Sequence, residues 1–348
     1  MTADRNGMRR RLYLACLLIG VLAMAPSAAA KSGTSWAQDE LKAVVASGVM
    51  SGEAAARPDD PLTRAELETL VTGLSHSDPA TPASPAAPVT ITGLDSRLVG
   101  ALGLADSARA ITVTARAAGL APPSRFGTET LARLLALRTN HPAALDALEL
   151  SPGEPATHAE AAFSAARIMR LGDWSPMETQ ALAATFTLPA LTTWQKRILT
   201  TAVRFIGYPY VWGGESETRM SAYGPQVHGG FDCSGFVWRV YKVQAYAGEG
   251  TLASTLMGRT TYAMSGEVPR SKRVALADLQ PADVIFFGSK GPKSTPAQVD
   301  HMGIYLGAGW FIHSSAYGVA VTTLTEWYAQ RFAWARRPLA EAGLVSSS

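Results

Sequence analysis

Cys233 lies in the stretch GGFDCSGFVW and is one of two cysteines in the 348-residue chain; the other is Cys16. Asp232 precedes an apolar stripe with helical spacing, so we expect it to cap a helix whose first turn holds Cys233. The stripe consists of Phe236, Val237, Val240 and Tyr241. Because N–H groups at a helix start lower the pKa of a thiol, Cys233 is a candidate nucleophile. An ordinary buried cysteine fits the same pattern.

Two histidines could serve this thiol as base and as partner of the base. His301 and His313 fall in neighbouring strand-like runs, HMGIYLG and WFIHSS, which a hairpin centred on Gly307 would join. In that register they sit opposite each other on one face, with Cβ atoms about 5 Å apart. One imidazole would accept the thiol proton, and the other would fix its tautomer and orientation. The remaining histidines have no such pairing and are expected at the surface: His76, His141, His158 and His228.

A zinc site uses the same residue types and is the alternative chemistry for this cluster. Zinc usually needs a fourth ligand or a water, and no obvious protein ligand lies near these residues in the sequence. We therefore expect neither a metal nor another cofactor.

Residues 1–30 are typical of an export signal. They combine a basic start, an apolar run from Leu12 to about Ala25 and a small-residue cleavage site ending at Ala30. The run is short for a membrane-spanning helix, so export with cleavage is favoured over a retained anchor. The arginine pair leaves both Sec and twin-arginine export open.

Cleavage of this signal would leave Cys233 as a single thiol and change the charge balance. The chain holds 31 basic and 28 acidic residues, and the signal takes four arginines and one aspartate, leaving 27 of each. A balanced chain gives no reason to expect nucleic acid as a partner. No second long apolar segment follows, so no membrane contact is expected after cleavage.

The N-terminal half has helical spacing. Gly48 falls where a glycine ends a first helix, and Thr63 with Glu66 forms a capping box at the start of another. Thr157 to Glu160 echoes that box, and Gly127 to Leu131 does so more weakly, which indicates helix–loop–helix repeats. Residues 77–90 are rich in proline, alanine, serine and threonine and are expected to form a linker or exposed loop.

From about residue 192 the pattern changes to one amphipathic helix, glycine-rich turns, the Cys233 helix and several short strands. A helix followed by an antiparallel sheet predicts an α+β domain. The strand-like runs are residues 283–288, 301–307, 310–315 and 319–323.

Five blocks, in order, resemble the NlpC-type cell-wall endopeptidases, which are papain-like cysteine peptidases. They are GYPYVWGG (207–214), FDCSGFVWRVY (231–241), LQPADVIFFG (279–288), HMGIYLGAGWFIHSS (301–315) and YAQRFAWARR (328–337). Residues 35–74, with a Trp-initiated helix and the Thr-Arg-Ala-Glu start, resemble an S-layer homology repeat; a generic helical hairpin is the alternative. The predicted fold is therefore a papain-like α+β domain, with the nucleophile helix packed on an antiparallel sheet, preceded by an all-α repeat region.

The resemblance implies roles for particular residues. Cys233 would be the nucleophile, His301 the base and His313 the third polar residue of the catalytic set. Tyr210 would line the active site, and Asp232 and Ser234 would help to hold the free amine of the substrate. The implied reaction is hydrolysis of peptidoglycan stem peptides at the bond between D-glutamate, through its γ-carboxyl, and a diamino acid. The implied second partner is a wall-linked polymer bound by the repeats of a secreted, wall-associated protein.

The predicted organisation is a signal (1–30), a first repeat (31–76), a linker (77–90), degenerate repeats (91–190), a catalytic domain (191–340) and a tail (341–348). Two departures from the family's pattern matter. Alanine replaces glycine in the turn Gln280 to Asp283, which favours a type I turn. Residues 215–230 are longer than in many relatives and are expected to loop near the cleft. The alternatives are an amidase or acyltransferase on the same fold, and a non-catalytic wall-binding protein.

Overall fold

The chain folds into a helical N-terminal half and an α+β C-terminal half, as the sequence predicted. The computed structural model describes residues 34–75, 80–141, 149–172, 174–226 and 228–344. From Ser35 onward the described residues form one compact unit. The predicted signal peptide and His76 lie outside the described residues.

Helices α1 to α8 build the N-terminal half. They are α1 Gln38–Ala46, α2 Gly52–Ala55, α3 Arg64–Ser75, α4 Ile91–Ala101, α5 Ala105–Ala117, α6 Phe126–Leu134, α7 His158–Arg170 and α8 Trp174–Ala184. The predicted C-cap glycine is confirmed, since Gly48 has φ of +75° directly after the end of α1. Among the described residues no single helix is long and apolar enough to cross a bilayer; only α4 and α5 together, bent by 118°, have that length and composition.

Three threonines cap the helices that organise the repeats. Thr63, Thr90 and Thr157 each accept a hydrogen bond from the backbone N–H three residues further on. The starts at Thr63 and Thr157 were predicted, but the intervening unit begins at Thr90 and not at residues 127–131, which lie inside α6. The sequence did not indicate this start because Gly93 occupies the position, three residues after the N-cap, where the other two helices carry a glutamate.

The segments that precede these three helices hydrogen-bond to one another in a closed ring. The N–H of Leu62 donates to Ala156 O (2.7 Å), that of Ala156 to Val89 O (2.8 Å) and that of Val89 to Leu62 O (2.9 Å). The described part of the expected linker, residues 80–90, is therefore a mostly exposed loop whose end enters this ring. The boundaries of the predicted domains stay predictions.

Two histidines that were expected at the surface are buried in the helical half. His141 is 6% exposed and its Nε2 lies 3.0 Å from Glu160 Oε1. His158 is 1% exposed and its Nε2 lies 3.2 Å from Glu66 Oε1. The surface prediction is wrong for both because carboxylates on neighbouring repeats offset the cost of burying their polar rings. His228 is half-buried.

The C-terminal half consists of short helices around an antiparallel sheet. Its helices are α9 Thr193–Arg204, α10 Cys233–Trp238, α11 Leu252–Thr255, α12 Thr261–Gly266, α13 Glu326–Arg331 and α14 Pro338–Glu341. Strands β1 Glu215–Ser216 and β4 Gly230–Phe231 pair, as do β2 Met220–Ser221 and β3 Gly224–Pro225. The main sheet contains β5 Val284–Gly288, β6 Val299–Gly307, β7 Trp310–Ser315, β8 Gly318–Thr323 and β9 Phe332–Arg336 in the order β8-β7-β6-β5-β9. The four predicted strands are confirmed.

The β6–β7 hairpin has a different register from the predicted one. Ile304 faces Ile312, and a register shift near Gly307 displaces the turn. His313 is consequently opposite Gly303, two residues from His301, and the two histidines are diagonal neighbours. An offset of two keeps both on the same face, so the predicted face is right and the predicted direct opposition is wrong.

The turn before β5 also differs from the predicted one. Ala282 has φ of +71°, and Asp283 N–H donates to Gln280 O (3.0 Å), which is the geometry of a type II turn and not the predicted type I. Neighbouring residues impose it: the N–H of Ala282 donates to Tyr305 O (2.8 Å), and its carbonyl accepts the phenol of Tyr241. These tertiary bonds outweigh the reluctance of alanine to adopt positive φ.

Replacing Ala282 with glycine should therefore stabilise the protein. Glycine relieves the cost of the left-handed conformation, but it also gives the unfolded chain more freedom. The net effect should raise the free energy of unfolding by about 1 kcal/mol. Chemical denaturation of the full chain measures this. As a matched control, Ala110→Gly in the exposed, right-handed interior of α5 should lower that free energy by about 1 kcal/mol; an equal loss in Ala282→Gly would contradict the account.

Candidate active site

Cys233 stands at the point where β4 gives way to α10. Asp232 is the N-cap, with an extended backbone and a side chain that accepts a hydrogen bond from the N–H of Gly235, as predicted. The predicted apolar stripe is buried and packs with Met302 and Ile304 in the main core. The helix therefore fixes the half-buried thiol beside strand β6.

The surroundings of the thiol reverse the predicted shift of its pKa. Burial raises the pKa of Cys233 above its ordinary value, and the carboxylate of Asp232 raises it further. Hydrogen bonds from Thr261, whose Oγ1 lies 3.4 Å from Sγ, and from the backbone of Ser234 and Met302 act in the opposite direction. The predicted direction is wrong because desolvation of the thiolate outweighs the hydrogen bonds that favour it.

His301 and His313 form a hydrogen-bonded pair. Nε2 of His301 lies 2.7 Å from Nδ1 of His313, and the rings meet nearly edge to face. Burial lowers the pKa of His301 to about 4, although Asp300 raises it somewhat; burial and His301 together hold the pKa of His313 well below its usual range. Both imidazoles are therefore neutral at pH 7.

Aromatic side chains provide this burial. Phe287 stacks on His301 with ring centroids 5.7 Å apart, and Phe311 lies 4.8 Å from His313. The ring centroid of Tyr328 in α13 lies 6.3 Å from that of His301 and 5.4 Å from that of His313. The aromatic rings partly desolvate the pair and so favour its uncharged form.

Gly303 makes room for the histidine pair. A Cβ at this position would lie 3.0 Å from His313 Cβ and 2.8 Å from Ile312 O. A side chain there would therefore push β7 or His313 away from His301. Glycine is needed here because the neighbouring atoms lie so close. Its φ is not the reason, because it lies outside the left-handed region.

A cleft of about 330 Å³ brings the thiol, His301 and Tyr210 together. Its lining comprises Asn140, Tyr210, Cys233, Asp300, His301, Ser314, Ser315, Ala316, Trp327 and Tyr328. Burial raises the pKa of Tyr210, and the neighbouring Cys233 and Asp232 raise it further, so its phenol stays protonated. The predicted placement of Tyr210 agrees with this cleft, while Asp300 is held at the rim by Arg331 (2.5 Å).

Arg259 organises the residues around the start of α10, and the sequence analysis missed it. Its guanidinium donates to Ser234 Oγ (2.8 Å), Glu215 Oε2 (2.9 Å) and Asp232 Oδ1 (3.1 Å), and also to the carbonyl of Gly214 (3.1 Å). No motif marks this arginine, which lies 26 residues after the cysteine. Only the folded chain places it beside Asp232 and Ser234.

Asp232 and Ser234 face this arginine and do not line the cleft described above. Ser234 is 5% exposed, and its hydroxyl donates to Asp232 Oδ1 (3.0 Å). Gly235 allows the guanidinium and the chain at Gly214 to approach, since a Cβ there would lie 1.8 Å from Gly214 O. Binding of a substrate amine by Asp232 and Ser234 stays a prediction.

The long segment 215–230 is organised by one glutamine. Gln226 Oε1 accepts from the N–H of Glu215 (2.7 Å), and its Nε2 donates to Ser216 O (3.0 Å) and Gly230 O (3.1 Å). The segment carries the exposed Tyr223, which packs against Trp238. Its described residues are absent from the lining of the cleft. Over the described ranges no group of three or more histidine, cysteine, aspartate or glutamate side chains is arranged to hold a metal ion.

Comparison with protein families agrees with both halves of the chain. The NlpC/P60 family matches residues 207–337, and the S-layer homology domain matches residues 30–68. The first match contains Cys233, His301 and His313. The two family matches confirm both resemblances, to the NlpC/P60 family over residues 207–337 and to the S-layer homology domain over residues 30–68.

Curated relatives match a little over a third of the chain. A gamma-D-glutamyl-L-lysine dipeptidyl-peptidase of Bacillus subtilis is 30% identical over 37% of this chain and 36% of the relative. The probable peptidoglycan endopeptidase LytE of the same organism is 33% identical over 38% of this chain and 30% of the relative. The murein DD-endopeptidase MepH of Escherichia coli is 34% identical over 38% and 41%. The chain thus spans well under half the length of these relatives.

Solved structures of the family are also similar. An NlpC/P60 family protein from Bacillus cereus is 28% identical over 44% of this chain and 43% of that chain, with a TM-score of 0.32. The peptidoglycan hydrolase RipB from Mycobacterium tuberculosis is 26% identical over 41% and 64%, with a TM-score of 0.30.

The protonation states define a pH test of the site. His301 accepts a proton only when it is neutral, so kcat/KM should fall as the pH drops through about 4. Alkylation of Cys233 by iodoacetamide reports the thiolate, and its rate should rise through an inflection above 9.0, the ordinary value for a cysteine. Thr261→Val is the matched variant: loss of its hydrogen bond should move the inflection higher. An inflection below 7 would instead mean a preformed thiolate.

Proposed function

We propose that this protein is a secreted, cell-wall-associated peptidoglycan hydrolase that cleaves stem peptides with a Cys233–His301–His313 catalytic set. The observation that carries the proposal is the cleft shared by Cys233, Tyr210 and His301, with His313 hydrogen-bonded behind His301. The names of the relatives support peptidoglycan peptides as the substrate class.

The tautomers follow from the hydrogen bond between the imidazoles. Nε2 of His301 is bonded to Nδ1 of His313, which leaves Nδ1 of His301 for the thiol. That nitrogen must be unprotonated to act as a base, so His301 Nε2–H donates to His313 Nδ1. His313 is then the acceptor that holds this tautomer.

Proton transfer accompanies attack, since the resting thiol is protonated and the imidazoles are neutral. His301 Nδ1 takes the proton of Cys233 as sulfur adds to the scissile carbonyl, and the imidazolium then gives that proton to the leaving amine. A thioester remains on Cys233. Water, deprotonated by His301, hydrolyses the thioester to release the carboxylate and regenerate the thiol.

The developing oxyanion has two donors within the cleft. The N–H of Cys233 lies in the first turn of α10, where backbone donors have no acceptor inside the helix. The phenol of Tyr210 stays protonated and can donate a hydrogen bond. Together they form the oxyanion site of the proposed reaction.

The proposed bond joins the γ-carboxyl of D-glutamate to a diamino acid. The name of the Bacillus subtilis relative, a gamma-D-glutamyl-L-lysine dipeptidyl-peptidase, supports this bond. The proposal extends to the N-terminal half, where the S-layer homology match supports binding of wall-linked polymers through the repeats. Export by residues 1–30 is part of the same proposal.

Digestion of purified peptidoglycan and defined stem peptides tests this function. Wild type should release fragments cut after D-glutamate, identified by mass, and Cys233→Ala and His301→Ala should each lose at least about a thousandfold in kcat. His313→Ala should lose less, because water can partly replace an acceptor that only orients the base. The inactive Cys233→Ala protein should still sediment with intact walls.

Other products would identify the alternatives. Release of intact stems from the glycan would identify an amidase, and transfer to an added amine would identify an acyltransferase. If wild type sediments with walls but cleaves nothing, the protein is a non-catalytic wall-binding protein. Full activity of a folded His313→Ala protein would overturn the assigned role of that residue.

A further inference from the structure

One wall of the catalytic cleft comes from the helical half. Asn140 lines the cleft beside Ser315 and Ala316, although it precedes the NlpC/P60 match by more than sixty residues. Its backbone N–H donates to Ala316 O (2.5 Å). Its side-chain amide is half-exposed and has no hydrogen-bond partner among the described residues. Within the described residues, the Asn140 amide is therefore available for a hydrogen bond to a ligand in the cleft.

Helix α7 holds the segment that carries this asparagine. We call residues 135–141 the cleft strap. Ser164 Oγ donates to Leu137 O (3.0 Å), and Arg167 Nε donates to Leu135 O (3.1 Å). Both contacts fix the backbone of the strap to a helix of the repeat region.

Buried charges anchor the strap on each side of Asn140. Arg138 is 1% exposed, its Nε lies 2.9 Å from Asp95 Oδ1, and its guanidinium also contacts Glu160. His141 contacts the other oxygen of Glu160 at 3.0 Å. Arg138 and His141 are both held in the helical core. Asn140 lies between them in the chain, so its position is fixed.

The opposite side of this wall is also tied to the helical half. Arg133 of α6 donates to Gly207 O (2.8 Å) and to the carbonyl of Tyr317, at the β7–β8 turn that carries Ala316. Gly318 in the same turn has φ of +70°, and a Cβ there would lie 2.5 Å from Arg133 Nη1. Glu149 forms a buried ion pair with Arg133 (2.7 Å). The turn and the strap are thus positioned by one set of helices.

We propose that Asn140 is a substrate-binding residue whose amide hydrogen-bonds a peptide group of the bound stem peptide. This rests on the proposed function of the cleft. A carboxamide offers a donor and an acceptor, which matches the C=O and N–H of a peptide group, and it adds no charge. The helical half is therefore part of the active site as well as a wall-binding region.

The test compares full-length wild type with Asn140→Ala on a soluble stem peptide. Loss of the hydrogen bond should raise KM roughly three- to tenfold while kcat changes less than about twofold. The backbone bond to Ala316 survives this change, so the rate of Cys233 alkylation by iodoacetamide should be unchanged. Thr139→Ala is the matched control: it lies on the strap outside the cleft lining and should leave KM unchanged.

Binding measured without turnover separates this inference from the proposed function. Calorimetry on Cys233→Ala should give a stem-peptide Kd that the added Asn140→Ala change raises by the same roughly three- to tenfold. Equal Kd values, or no binding to the Cys233→Ala protein, would overturn the inference. A wild type that binds the peptide with this Asn140 dependence but never cleaves it would overturn only the proposed reaction.

Discussion

The hydrogen bond between His301 and His313 is the interaction on which the site depends. Aromatic rings pack around it, both imidazoles are neutral, and one can donate to the other. The bond requires a two-residue offset of β6 and β7 on a common face, and it requires a glycine at position 303. In the proposed reaction, a thiol with a raised pKa needs a neutral base at the moment of attack, and this pair is the proposed base.

A second set of buried polar contacts unites the two halves of the chain. Arg133 and Arg138 lie on and just after α6, both essentially inaccessible, with carboxylates of the repeat region around them. Breaking one partner of such a cluster leaves an uncompensated buried charge, which is costly. These contacts fix the β7–β8 turn and the cleft strap together, so the geometry of the cleft depends on helices outside the NlpC/P60 domain.

The sequence predicted what local pattern encodes. The helix after Asp232, the capping box at Thr63, the threonine N-cap at Thr157 and the strands bearing the two histidines are all present. Features set by tertiary contacts were not predictable. Bonds from Tyr241 and Tyr305 impose positive φ on Ala282, and Arg259 and Asn140 reach the site from distant segments without any motif. The pKa of Cys233 was predicted in the wrong direction because burial leaves no mark in the sequence.

The central claim is that Cys233 carries the acyl group of the stem peptide during turnover. Mass spectrometry of wild-type enzyme, quenched in acid while it turns over a stem peptide, tests this directly. The account predicts a mass increase equal to the D-glutamyl side of the substrate, located on the peptide that contains Cys233 and absent from Cys233→Ala. Product that accumulates while Cys233 stays unmodified, or an adduct on another residue, would contradict the account.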